Sequence, residues 1–164
     1  MWSYLILYLT SFLTFKNSEG KLKEYIKESK IFIPYSDFKK FVYRRVWSCF
    51  GVSIFSTLQE LEENLKTLEN LGILKWEESI EKRIVIDKKG AELLLSKTHE
   101  FKNDFLNRNS SVRKDVIVRE YYARLFLSGI SDEERISLKE EKDYDTLGKI
   151  YEENLKKLEK VIFE

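Results

Sequence analysis

The residues that most often perform acid–base or metal chemistry are few in this chain. It has one histidine, His99, and one cysteine, Cys49, which excludes an intramolecular disulfide and a cysteine-rich metal site. Paired acids such as Glu62-Glu63 recur, but on helices they are ordinarily solvated surface. The sequence has no glycine-rich phosphate loop and no nucleophile with a recognisable base partner. We therefore predict a protein that is not an enzyme and that has no cofactor and no metal site.

A second set of side chains has the chemistry of nucleic-acid recognition. Hydroxyl and amide groups can hydrogen-bond to base edges, whereas lysine and arginine can bind phosphate. The candidates for base contacts are Ser56, Thr57, Gln59 and Asn64. The candidates for phosphate contacts are Lys39, Lys40, Arg44, Arg45, Lys82 and Arg83. The alternative for the basic residues is ordinary solvated charge on a helix.

The segment with the base-contact candidates is also acidic. Glu60, Glu62 and Glu63 lie within four residues, and Glu69 follows on the same predicted helix. These carboxylates would repel phosphates, and basic residues could offset the repulsion only if they surround the same face. The pattern is therefore compatible with a DNA-binding surface and with a surface for a basic protein.

The overall composition predicts one folded domain and does not single out a nucleic-acid partner. The 164 residues are 43% hydrophobic and carry 29 basic and 28 acidic side chains. Residues 1–56 hold nine basic and four acidic side chains, so if any part of the chain binds phosphate strongly, we expect it to be the N-terminal third. The Lys- and Glu-rich composition is typical of thermophile proteins, although an AT-rich genome would produce the same bias.

The elements that would position these residues can be predicted from apolar spacing. The uncharged start, MWSYLILYLTSFLTF, has Trp2, Leu5, Ile6, Leu9, Phe12 and Leu13 at helical spacing. It is shorter than the roughly 20 apolar residues of a bilayer span, and it has no signal-peptide pattern. We predict a buried first helix in a cytoplasmic protein without a membrane partner. An amphipathic membrane anchor is the alternative.

The next segment is predicted to contain a turn at KNSEG, a short basic helix in KLKEYIKESK, a short strand in IFIP and then another helix. Pro34 ends any preceding helix, and Ser36 or Asp37 can cap the helix that follows. One face of that helix is apolar and consists of Phe38, Phe41, Val42, Val46 and Trp47.

The middle of the chain combines a leucine-striped helix with a hairpin. The predicted buried stripe consists of Leu58, Leu61, Leu65, Leu68 and Leu71. Gly72 stands where a helix favours a left-handed residue. Residues 73–76 and 82–86 are predicted strands around the charged tip EESIEK. Asp87 is placed to cap the following helix, KKGAELLLSKTHEFKNDFLN.

Two motifs flank this hairpin. Leu68-Glu69-x-Leu71-Gly72-Ile73-Leu74 precedes it, and Asp87-Lys88-Lys89-Gly90 follows it. With the order of helix, short strand, two helices, hairpin and helix, the sequence resembles the MarR- and PadR-type winged-helix regulators. The resemblance covers roughly residues 55–160. It implies that the third helix enters a DNA groove while the hairpin lies along the backbone.

The C-terminal third is similar to PadR-type proteins. An aromatic helix ends at Gly129, and Ser131 with Glu134 forms a predicted capping box. The last helix has an apolar stripe of Leu147, Ile150, Tyr151, Leu155, Leu158 and Ile162. The resemblance implies that this helix dimerises. The alternative is that the stripe packs on its own domain.

The sequence thus predicts a mainly α fold with a small β-hairpin, of the α+β class. A winged helix-turn-helix domain is expected over residues 1–98, and a helical dimerisation arm over residues 99–164. The predicted function is a transcriptional regulator that binds double-stranded DNA as a homodimer. The alternative is an interaction module that binds a basic protein partner in a larger assembly.

Overall fold

The computed structural model describes residues 2–46, 58–78, 80–107, 127, 129–138 and 144–164. The helices are α1 (Trp2–Ser18), α2 (Tyr35–Lys40), α3 (Leu58–Asn70), α4 (Lys88–Asn107), α5 (Asp132–Leu138) and α6 (Tyr144–Phe163). The strands are β1 (Ile26–Lys27), β2 (Lys30–Pro34), β3 (Lys75–Glu78) and β4 (Lys82–Ile86). A 3₁₀ turn spans Leu22–Tyr25, and a π-helical segment continues α2 over Phe41–Val46. The predicted α+β class is confirmed, with helices predominating.

Helix α1 is the centre of the molecule. Residues 5–13 are all buried, because α1 packs against α3, α4 and α6. This confirms the predicted buried first helix. Burial extends beyond the apolar stripe to Thr10 and Ser11. The Thr10 hydroxyl lies 2.7 Å from the Thr98 hydroxyl on α4, so the pair satisfies its own hydrogen bonding inside the core. Within the described ranges, no helix is long and apolar enough to cross a bilayer.

The prediction of a helix in KLKEYIKESK was wrong, since the 3₁₀ turn there leads into a hairpin. Strands β1 and β2 pair antiparallel, with Lys27 opposite Lys30. The two residues between them, Glu28 and Ser29, have φ of 53° and 63°, as a two-residue hairpin turn requires. Ile26, inside the predicted helix, instead pairs with the buried Ile31 of β2, so pairing in the sheet overrides the local helical preference.

The predicted hairpin of β3 and β4 is confirmed, and it belongs to a larger sheet. The described strands have the order β1-β2-β4-β3, all neighbours antiparallel. Strand β4 is central, which explains why Ile84, Val85 and Ile86 are all buried. Strand β3 begins two residues later than predicted. Gly72 (φ +83°) and Ile73 first cap α3, through amide donation to the carbonyls of Glu69 and Leu68.

The leucine stripe of α3 is confirmed for Leu61, Leu65 and Leu68, which are fully buried. Leu71 was predicted to be part of it and is instead exposed, because α3 ends at Asn70 and Leu71 lies in the turn. Leu58 begins the described helix, but its side chain lies outside the described part.

The start of α2 differs from the prediction. The N-cap is Pro34, and no side chain caps the helix. Ser36 donates to Glu81 on the hairpin tip, while Asp37 accepts the Tyr25 hydroxyl. The predicted apolar face is buried at Phe38, Phe41 and Val42, whereas the Val46 side chain and Trp47 lie outside the described residues.

Helix α4 begins as predicted. The Asp87 carboxylate accepts the Gly90 amide at 2.8 Å, which is N-terminal capping. The helix is continuous from Lys88 to Asn107, so the predicted domain boundary after residue 98 falls inside it. At α5, the Glu134 amide donates to Ser131, in agreement with the predicted cap.

The apolar stripe of α6 faces its own chain. Helix α6 packs on α4 and α1, and Leu155 and Leu158 are buried in the core there, while Leu147 is also buried. The other three residues of the predicted dimerisation stripe, Ile150, Tyr151 and Ile162, are half-buried. Leu155 and Leu158 join the same core as α1. This is the alternative of packing on its own domain, and dimerisation stays a prediction that would need other surfaces.

Candidate functional site

Helix α3 and the β3–β4 hairpin form one continuous surface. The Trp76 amide donates to Glu69 near the end of α3, and Lys82 of β4 lies 3.9 Å from Glu62. We call this surface the α3–hairpin face, defined as the solvent-facing polar side chains of residues 59–70, 75–78 and 80–83. Four of the ten side chains predicted to contact nucleic acid belong to it: Gln59, Asn64, Lys82 and Arg83.

The predicted base-contact residues are engaged within α3. Gln59 donates through Nε2 to the Glu63 carboxylate at 3.2 Å. Asn64 donates through Nδ2 to the Glu60 carbonyl at 2.8 Å. Both amides remain at the surface, and each uses one of its two N–H donors within the helix that carries it. The other two candidates, Ser56 and Thr57, lie outside the described residues.

The predicted phosphate contacts on the hairpin are paired with acids. The strand register places Glu77 opposite Arg83 and Glu78 opposite Lys82. Arg83 forms an ion pair with Glu77, and its guanidinium lies 4.9 Å from the Phe32 ring. Lys82 approaches Glu62 of α3. The positive charge of the hairpin is therefore neutralised locally.

An aromatic pair joins α2 to the hairpin beside these charges. The rings of Tyr35 and Trp76 meet edge to face, with centroids 5.2 Å apart. Lys39 lies over the Tyr35 ring, 4.9 Å from its centroid, and Lys82 lies over the Trp76 ring at 4.4 Å. Lys39 and Lys82 thus converge from α2 and β4, and this aromatic support could not be predicted from sequence spacing.

The balance of charge on the α3–hairpin face is negative. The segments that define it hold seven glutamates against three lysines and one arginine. The negative charge of these glutamates also affects the pKa values of neighbouring tyrosines. Burial and then the negative charge of Glu62 raise the pKa of Tyr35 above its ordinary range. Burial and then Glu60 raise the pKa of Tyr43. The surface repels anions and attracts cations.

The remaining predicted phosphate contacts do not join this face. Arg45 forms an ion pair with Asp132, donates to the Ile130 carbonyl and lies 4.4 Å from the Phe15 ring. The Arg45 side chain is only 10% exposed, which does not fit the predicted phosphate contact. Lys40 and Arg44 are exposed beside a cleft against α1. The six basic residues are therefore divided between two places.

The one histidine, which was considered for catalysis, lies beside a carboxylate in the structure. His99 pairs with Glu159 and links α4 to α6. Among the described side chains, no group of three or more histidine, cysteine, aspartate or glutamate residues could hold a metal ion.

One feature of the face could have been found in the sequence. In KWEESIEKRIV, two acids precede the hairpin tip and two basic residues follow it. A two-stranded pairing across that tip brings opposite charges together, so the cross-strand pairs of Glu77 with Arg83 and Glu78 with Lys82 were predictable.

Comparisons with protein-family models, with curated proteins and with solved structures found no match to this chain.

Proposed function

We propose that this chain is a winged-helix protein whose α3–hairpin face binds a basic protein partner, and that this face does not read DNA. Charge carries the proposal: α3 has four glutamates and one lysine, and the hairpin's Lys82 and Arg83 pair with acids of the same face. A DNA-binding face instead needs uncompensated lysine and arginine toward the phosphates.

The winged-helix part of the proposal is supported by element order. From α1 to α4, the described elements follow each other as a helix, a short hairpin of β1 and β2, two helices, a second hairpin and a helix. Strand β2 pairs with β4, which attaches the hairpin to the body of the domain. In winged-helix proteins the third helix and the hairpin are the recognition surface, and those elements form the α3–hairpin face here.

The partner's chemistry follows from complementarity. Exposed carboxylates at Glu60 and Glu63 would meet lysine or arginine side chains, and such interfaces gain association rate and specificity from opposite charge. Binding is expected to weaken as salt screens the exposed charges. A helix with these carboxylates also repels a DNA backbone, which would suppress non-specific DNA binding.

The test measures binding of the full chain to two labelled probes by fluorescence anisotropy. One probe is a lysine-rich peptide, and the other is random-sequence duplex DNA. We expect peptide binding at low salt and no DNA binding. Replacing Glu60→Gln together with Glu63→Gln should weaken peptide binding roughly three- to tenfold. The control Glu92→Gln with Glu153→Gln removes two exposed charges from α4 and α6 and should leave peptide binding unchanged.

A homodimeric DNA-binding regulator is the second candidate, and the element order favours it too. It makes the opposite prediction for the same variants. Duplex DNA should then bind, and its association constant should fall as the salt concentration rises. On a log–log plot the slope should be about −0.9 for each phosphate that the protein neutralises. The Glu60→Gln and Glu63→Gln variant should then bind DNA more tightly. That outcome would overturn the protein-partner proposal.

A further inference from the structure

A cleft with an aromatic floor and a basic mouth lies between α1 and the π-helical continuation of α2, apart from the α3–hairpin face. Its volume is about 240 Å³. Phe12, Phe15 and Phe41 form the apolar lining, with the ring of Phe41 5.5 Å from Phe12 and 5.8 Å from Phe15. Lys40 and Arg44 stand at the mouth and are exposed.

The other charged residues of the cleft already have partners. Lys16 pairs with Glu19 at 3.3 Å, and Arg45 pairs with Asp132. Asp37 accepts the Tyr25 hydroxyl at 3.0 Å. Among the contacts between described residues, Lys40 and Arg44 have no acidic partner. Lys40 and Arg44 therefore bring two positive charges to the cleft, against the one carboxylate of Asp37, whose partner is a neutral hydroxyl, so the balance is positive.

The backbone at this place is itself unusual. Arg44 and Phe41 lie on the π-helical segment Phe41–Val46, which widens the helix directly after α2. Such turns occur frequently at functional sites, because they displace side chains from the ordinary helical positions. The buried rings of Phe12 and Phe38 pack edge to face beneath the segment, which supports the wall of the cleft.

From this combination we propose that the cleft binds a small organic carboxylate with an apolar body. The apolar body would lie against the phenylalanine rings, and the removal of its apolar surface from water would favour binding. The carboxylate would receive hydrogen bonds from the Arg44 guanidinium, whose paired N–H groups match two carboxylate oxygens, and from the Lys40 ammonium. The volume suits a ligand of about one ring and is below that of pockets for drug-sized molecules.

The test is a titration of the isotopically labelled full chain, followed by backbone amide shifts in NMR at constant ionic strength. Sodium benzoate is the probe, with benzamide as its neutral analogue and acetate as the carboxylate without an apolar body. We expect saturable shifts at Phe15, Lys16, Phe41 and Arg44 with benzoate, and at least tenfold weaker binding of both analogues.

Two variants with matched charge loss locate the site. Lys40→Gln with Arg44→Gln should weaken benzoate binding about tenfold. Lys89→Gln with Lys149→Gln removes two exposed charges from α4 and α6 and should leave benzoate binding unchanged. All four positions are exposed, and the amide spectrum before titration verifies that each variant is folded.

Three outcomes would overturn the carboxylate site. They are shifts that do not saturate, equal affinity for benzamide or acetate, and saturable binding that survives the loss of Lys40 and Arg44. Benzoate binding in the cleft is also expected to be independent of what the α3–hairpin face binds. The Glu60→Gln and Glu63→Gln variant should bind benzoate as the unaltered chain does, whatever its binding to peptide or DNA.

Discussion

Gly90 in the first turn of α4 shows how one residue determines the approach of two elements. A Cβ atom at this position would lie 2.1 Å from the Ile73 carbonyl oxygen and 3.0 Å from its carbon. Both neighbours are backbone atoms in the turn between α3 and β3, so they cannot rotate away. The glycine therefore permits α4 to start directly against that turn. Its amide is also the group that the Asp87 carboxylate caps.

We expect Gly90→Ala to destabilise the fold by about 1–3 kcal/mol, because the added methyl group forces the α3–β3 turn and α4 apart. Urea unfolding followed by circular dichroism measures the free energy of unfolding. Lys89→Ala is the control, since it changes an exposed residue of the same helical turn and should shift stability by less than about 0.5 kcal/mol. Equal stability of the two variants would contradict the close approach.

At the scale of elements, Arg45 ties the end of the π-helical segment to the start of α5. Its guanidinium binds the Asp132 side chain and the Ile130 carbonyl, and it stacks near Phe15 of α1. Asp132 is mostly exposed, whereas Arg45 is not. Most of the stabilisation is therefore expected from Arg45's packing and its bond to the backbone carbonyl, and less from the ion pair.

We expect Arg45→Met to lower the free energy of unfolding by about 1–3 kcal/mol, since it leaves the Ile130 carbonyl without its donor. Arg44→Met, at the neighbouring exposed position, is the matched control and should be near neutral. Asp132→Asn should cost less than Arg45→Met in the same urea series. A larger loss from Asp132→Asn would mean that the ion pair dominates.

At the scale of the whole molecule, the N- and C-terminal regions share a core. Leu155 and Leu158 of α6 are buried with α1 residues such as Leu9 and Phe12 in one hydrophobic cluster. Residues far apart in the chain therefore contribute to the same core, and the last helix helps to cover the first. These contacts lie within one chain. The homodimer predicted from the sequence would be an additional association between the surfaces of two chains.

Leu158→Ala should destabilise a single chain by about 2–5 kcal/mol through the cavity that it leaves. Lys157→Ala, at the exposed neighbouring position, serves as control. We also expect the thermal midpoint of the unaltered chain to be independent of protein concentration, because α6 is covered within one chain. A midpoint that rises with concentration would instead support the homodimer, since association stabilises the folded state by mass action.

Local patterns were sufficient for the elements that depend on near neighbours. The stripe of Leu61, Leu65 and Leu68 predicted α3, Gly72 its end, and Asp87 the start of α4. These are contacts within a turn or two of helix, or between residues of a single hairpin. Their geometry follows from helical periodicity, left-handed glycine and capping, all of which operate over a few residues.

Contacts between distant segments decided the rest. The hairpin that replaces a predicted helix joins the sheet through the pairing of β2 with β4, and the packing of α1 on α4 brings Thr10 to Thr98. The predicted basic group was divided because Arg45 lies with Asp132, 87 positions away, while Lys82 lies with Glu62. Spacing along one element cannot specify which partner neutralises a charge. That depends on which helices and strands pack together, and the packing is a property of the whole core.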